Sequence, residues 1–122
     1  MRGRAVVQRE RLDSEETTMR VLSYLRMEIN SDQIEAYEED LEEMIRMARE
    51  TPGFIGVEVF RTHGEPNVYL VLSEWESHEA MRSFLMEERH VEIIRAYKRG
   101  YGVGFERRRY ARLHGVRHEL LE

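Results

Sequence analysis

The sequence predicts an α+β domain built on one four-stranded antiparallel sheet with helices on one of its faces. Three observations lead there. Four segments read as strands with side chains alternating between two faces, two intervening regions repeat their apolar residues at helical spacing, and the order is strand, helix, strand, strand, helix, strand. A chain of 122 residues, 41% hydrophobic and 35% charged, has the length for one core and the composition of a globular domain.

Residues Met1 to Thr18 are polar and mixed in charge, with Ala5, Val6, Val7 and Leu12 as their apolar anchors. They form an expected N-terminal arm over 1–18, able to add an edge strand to a partner and so to build a higher oligomer. The domain proper covers 19–112, and 113–122 is a C-terminal tail. Met19 to Ile29 alternates, with Val21, Ser23, Leu25, Met27 and Ile29 on a dry face and Leu22, Tyr24, Arg26 and Glu28 on a mixed one. Asn30 is the expected N-cap of the first helix, with Gln33 closing a capping box. Ile34, Tyr37, Leu41, Met44, Ile45 and Ala48 then form its apolar stripe, and Thr51, Pro52 and Gly53 end it.

In the second strand Phe54, Gly56, Glu58 and Phe60 share one face, and Ile55, Val57, Val59 and Arg61 the other. His63 to Asn67, with Gly64 and Pro66, is the expected hairpin connection to a third strand. There Val68, Leu70 and Leu72 oppose Tyr69, Val71 and Trp75. Ser77 caps a second helix buried through Ala80, Met81, Phe84 and Leu85, and a shorter helix follows with Val91, Ile94 and Tyr97 inward. Gly100, Gly102 and Gly104 open the last strand, where they imply a bend or close backbone approach. This βαββαβ order is ferredoxin-like. Its strands are apolar on both faces while its helices cover one, so the second face is expected to meet a second copy of the chain.

The absence of cysteine excludes a disulfide framework, a thiolate metal site and a cysteine nucleophile, and a net charge of -5 argues against general nucleic-acid binding. No apolar run has the length of a membrane-spanning helix, and the start around Arg2 and Arg4 lacks the apolar core of a signal peptide. A cytoplasmic protein is expected, with neither membrane nor nucleic acid as partner.

Pro52-Gly53-Phe54-Ile55-Gly56, Tyr69-Leu70-Val71-Leu72, Trp75-Glu76-Ser77 and His90, fifteen positions after the tryptophan, together resemble the antibiotic biosynthesis monooxygenase domain. The resemblance runs over roughly Val21 to Phe105, a domain-sized stretch. It implies a homodimer joined sheet to sheet as an α+β barrel. One branch of that family oxidises aromatic polyketide anthrones to quinones without metal or flavin. Its asparagine four residues before the tryptophan and tyrosine six after it correspond to Val71 and Met81 here, while its arginine corresponds to Arg95. Haem-degrading members carry an axial histidine about nineteen positions after the tryptophan, where this chain has Ile94, so haem degradation is not expected.

Each candidate also has a plainer role. Trp75 can floor a cavity and offer its indole N–H to a substrate oxygen, or simply seal the corner between sheet and helix. His90 can take a proton from a phenol, or serve a helix end. Tyr24, Arg26 and Glu28, with Glu58 and Phe60, can face one cavity between sheet and helices or between sheets. There Arg26 would either pair with Glu28 or Glu58 or clamp a substrate. His114 and His118 are four apart but flank Gly115 and lack a completing carboxylate, so no metal site is expected. Arg107, Arg108, Arg109, Arg112 and Arg117 suit contact with a partner subunit or solvation.

The expected function is a small cofactor-independent monooxygenase acting on a quinol or phenolic aromatic substrate. Trp75, His90 and Arg95 are its catalytic candidates, and Tyr24, Arg26, Glu58, Phe60 and Met81 its substrate-binding ones. The alternative is a non-catalytic dimeric barrel that binds a small apolar ligand.

Overall fold

In the computed structural model, which describes residues 19–113, four strands pair antiparallel in the order β2-β3-β1-β4. They are β1 (Val21–Ile29), β2 (Phe54–Thr62), β3 (Glu65–Trp75) and β4 (Gly102–Ala111). The helices are α1 (Ile34–Glu50), α2 (His78–Leu85) and α3 (Glu88–Ala96), and a π-helical turn, Tyr97–Tyr101, leads into β4. This is the ferredoxin-like arrangement that the element order predicts. The arm over 1–18 and the pair His114 and His118 lie outside the described residues.

Register decides which side chains meet the helices. β1 and β3 pair Val21 with Trp75, Ser23 with Ser73, Leu25 with Val71 and Met27 with Tyr69, and residues paired across a ladder share a face. Val21, Met27, Ile29, Tyr69 and Trp75 from that face form one core with Tyr37, Leu41, Met44 and Ala48 of α1, Met81 and Phe84 of α2, and Ile93 and Tyr97. Burying each large side chain contributes about 1.5–3 kcal/mol. Arg89 of α3 adds a fork to Glu43 of α1, with Nε and Nη2 donating at 2.6 and 2.8 Å.

Several local expectations change. Asn30 does not cap α1; its side-chain amide donates to the Gly100 carbonyl, tying the end of β1 to the turn before β4. Gln33 is the capping residue and makes no side-chain cap bond. Ser77 does cap α2, its hydroxyl accepting from the Ala80 N–H at 3.1 Å. A bulge between Phe54 and Gly56 adds one residue to β2, so Phe54 joins Val57, Val59 and Arg61 on the helix side instead of sharing a face with Glu58 and Phe60. The hairpin is shorter than expected: Thr62 pairs with Glu65, and Gly64 supplies the positive φ of 84° that turns the chain. α3 buries His90 and Ile93 in place of Val91 and Ile94, while Tyr97 in the following turn is buried as expected. The His90 and Phe84 rings pack in a T-shaped contact with centroids 4.7 Å apart on that buried face.

The glycines before β4 answer to space. A Cβ on Gly102 would fall inside the Tyr97 ring, whose hydroxyl donates to the Gly104 carbonyl. Gly102→Ala is therefore expected to lower stability by about 1–3 kcal/mol through overpacking. Gly56→Ala, with nothing within 4 Å of the added carbon, should stay within about 0.5 kcal/mol of the parent. Urea unfolding midpoints of the two variants check the contrast.

Candidate functional site

Between the helix-facing side of the sheet and helices α1 and α2 lies a cavity of about 70 Å³. Leu25, Leu41, Val71, Met81 and Phe84 make it apolar, and Ser23, Ser73, His90 and Arg107 supply polar atoms. That space exceeds several-fold what one water needs.

Local chemistry explains the position of Trp75, which is 1% exposed. Gly53 has φ +88°, and a Cβ there would meet the Ala80 Cβ at 2.5 Å, so only glycine lets the turn before β2 approach the first turn of α2. The Glu76 N–H then donates to the Gly53 carbonyl at 2.7 Å. The Pro52-Gly53-Phe54 and Trp75-Glu76-Ser77 segments are thus two halves of one corner. The indole sits there between Phe84, stacked at 5.1 Å, and Phe54, edge-on at 5.3 Å. Its N–H is already engaged, donating to Ser73 Oγ at 3.1 Å. The Ser73 hydroxyl, accepting that bond, keeps its own hydrogen to donate.

His90 is 6% exposed. Burial pushes its imidazole down to about 4, the positive charge of Arg107 adds to the fall, and the Leu85 backbone opposes it. The ring is neutral at pH 7. Arg107 lies across from Leu25 on the same sheet face; burial lowers its guanidinium from the usual value, and Arg109 lowers it further. His90 and Arg107, together with Leu85, also wall a second, more open pocket of about 240 Å³ that includes Val91, Ile94, Arg95 and Lys98.

The expected site residues separate into three places. Trp75, His90 and Met81 meet at the inner cavity, and Arg95 lines the outer pocket. Tyr24, Arg26, Glu58 and Phe60 lie on the sheet face turned away from the helices, because they pair in register with Leu72 and Leu70 and not with the Ser73 and Val71 set. One cavity lined by Trp75, Met81, Tyr24 and Phe60 together does not form. Nor does Arg26 pair with Glu28 or Glu58 among the described residues. β3 separates Arg26 from Glu58, leaving two strand spacings, about 10 Å, between them.

The sequence reading missed Ser23, Ser73 and Arg107. Two serines within otherwise dry strand faces were a usable signal; Arg107 was hidden inside a basic run. Val71 and Met81 both line the cavity, so apolar groups stand in its wall at the two departures from the anthrone-oxidising pattern. Among the described residues no group of three or more His, Asp or Glu is placed to hold a metal ion, and no helix is long and apolar enough to cross a membrane.

A family model described as antibiotic biosynthesis monooxygenase matches residues 20–96. No curated protein matches in sequence. Among solved structures, an assigned antibiotic biosynthesis monooxygenase from Deinococcus radiodurans superposes with a TM-score of 0.73 at 16% identity, covering 81% of this chain and 98% of that one. SnoaB, a cofactor-independent oxygenase from Streptomyces nogalater, gives 0.66 at 18% identity, covering 85% and 99%. An assigned member from Nitrosomonas europaea gives 0.71 at 9% identity, covering 80% and 93%. At these identities the likeness is one of fold.

The His90 environment carries a pH dependence. The unfolded chain takes up this proton near pH 6.5 and the folded chain only near pH 4. The contribution is therefore complete above about pH 6.5 and lost as the pH falls through that window, reaching about 2 kcal/mol of destabilisation near pH 4.5. Urea midpoints at neutral pH and near pH 4.5 should show that loss, and His90→Leu should remove this component of it.

Proposed function

Because the chain belongs to the antibiotic biosynthesis monooxygenase family, we propose that it is a cofactor-independent monooxygenase acting on a phenolic or quinol ring bound in the inner cavity. The observation that carries this reading is one neutral, buried imidazole, His90, in the wall of a mostly apolar cavity floored by Trp75. A ring excluded from water there meets a proton acceptor in the required protonation state, and Ser73 can donate to its oxygen.

In this proposal His90 takes the phenolic proton and the resulting phenolate passes electrons to dioxygen. A ring carbon ortho or para to the phenolate that carries a hydrogen becomes a carbonyl; one atom of dioxygen enters the product, and the other leaves as water with that hydrogen and the phenolic proton. The four electrons come from the substrate, so no external reductant enters the balance. Protonated His90 is disfavoured by its burial and by Arg107, which returns the proton readily to the reduced oxygen. Val71 and Met81 contribute shape in this scheme and no hydrogen bonds.

Oxygen uptake with a panel of small phenols and quinols tests the reading. Uptake above the buffer rate is expected for the wild type, with a fall of about 10²-fold or more in His90→Ala and a smaller fall in Trp75→Phe. Tight binding of the same rings with no uptake would favour the non-catalytic barrel.

The proposal includes a homodimer. Phe60 and Tyr110 are 46% and 45% exposed on the sheet face without helices, where Leu22, Tyr24, Leu70 and Leu72 flank them in register. A second copy packed there covers this apolar surface, burying on the order of 2,000 Å², and offers Glu58 as a partner for Arg26. Sedimentation at micromolar concentration should give a dimer; a monomer would remove this part of the proposal.

A further inference from the structure

The outer pocket has a composition that the oxygenase reading does not use. Arg95, Lys98 and Arg107 line it together with Leu85, His90, Val91 and Ile94, and no carboxylate does. Acidic side chains on neighbouring elements are committed elsewhere: Glu43 and Glu92 pair with Arg89, and Glu106 pairs with Arg108 on the opposite sheet face. Among the described residues none of the three cations has an acidic partner. Arg107 is also partly desolvated beside a second arginine, Arg109. A cation so placed is stabilised by any anion that reaches it.

The pocket adjoins the inner cavity through shared walls, Leu85, His90 and Arg107. We propose, resting on the oxygenase reading, that this is an anion subsite and that the substrate is an aromatic acid whose ring fills the apolar cavity and whose carboxylate emerges past His90 onto Arg107 and Lys98. The planar guanidinium of Arg107 matches a carboxylate, and Lys98 supplies a second, mobile charge. Val91 and Ile94 leave an apolar border between the charges, suited to the short link between ring and acid.

Binding is tested without turnover. Affinities of 4-hydroxybenzoate and 4-hydroxybenzamide, which differ in charge and little in shape, are compared by calorimetry and by emission of the single tryptophan. The wild type is expected to prefer the acid by about 10-fold, the scale of one charge-assisted hydrogen bond. Arg107→Gln and Lys98→Gln should each lose most of that preference while keeping their affinity for the amide, and Arg107→Lys should retain part of it. Equal affinity for the two compounds in the wild type, no binding of either, or a preference unchanged in both glutamine variants would overturn the subsite. An inactive protein that still prefers the acid supports the subsite while counting against the oxygenase; an active one that ignores the charge does the reverse.

Discussion

The contact on which the remaining structure leans is the packing of the Trp75 indole between Phe54 and Phe84. It joins the start of β2, the end of β3 and helix α2 at one point, and Phe84 passes the row on to His90 at the head of α3. Flat, rigid rings in edge and stacked contact cannot collapse as aliphatic chains do. The cavity beside them is bounded by that row on one side and by the β1–β3 ladder on the other. Gly53 is the enabling residue, since any side chain there would push the corner apart.

A second constraint follows from the pleat. Alternation sends Ser23, Leu25, Ser73 and Val71 toward the helices and Tyr24, Arg26, Leu70 and Leu72 away from them, so no residue serves both sides. The molecule therefore has two different sheet faces: a helix-covered one that encloses the cavity, and a half-exposed one that carries apolar groups. Exposed Arg61 and half-exposed Glu38 meet the hydroxyl of buried Tyr69, with hydrogen bonds of 2.6 to 2.9 Å that join α1 to the sheet. Exposed pairs of this kind add little stability.

Electrostatics separates the two pockets. The inner one is mostly apolar, holds neutral His90 and two hydroxyls, and shares Arg107 with the outer one. The outer one holds cations whose charges disfavour a proton on His90, so the imidazole sits at a boundary between apolar and basic surroundings.

Sequence alone determined the element order, the antiparallel hairpin, the Ser77 cap and the presence of one uncovered apolar face, because strand and helix periodicity and turn chemistry are local properties of the chain. It also placed Trp75 and His90 near each other through a family resemblance, and it named Met81 and Arg95. Tertiary structure alone decided that Tyr24, Arg26, Glu58 and Phe60 lie across the sheet from that site. The choice between a strand's two faces depends on the register set by partners far along the chain, and on one extra residue at the β2 bulge. It alone also drew Ser23, Ser73 and Arg107 together, since they come from three strands and nothing in their local sequence marks them as neighbours. A periodic pattern names two faces; only long-range packing says which of them is inside.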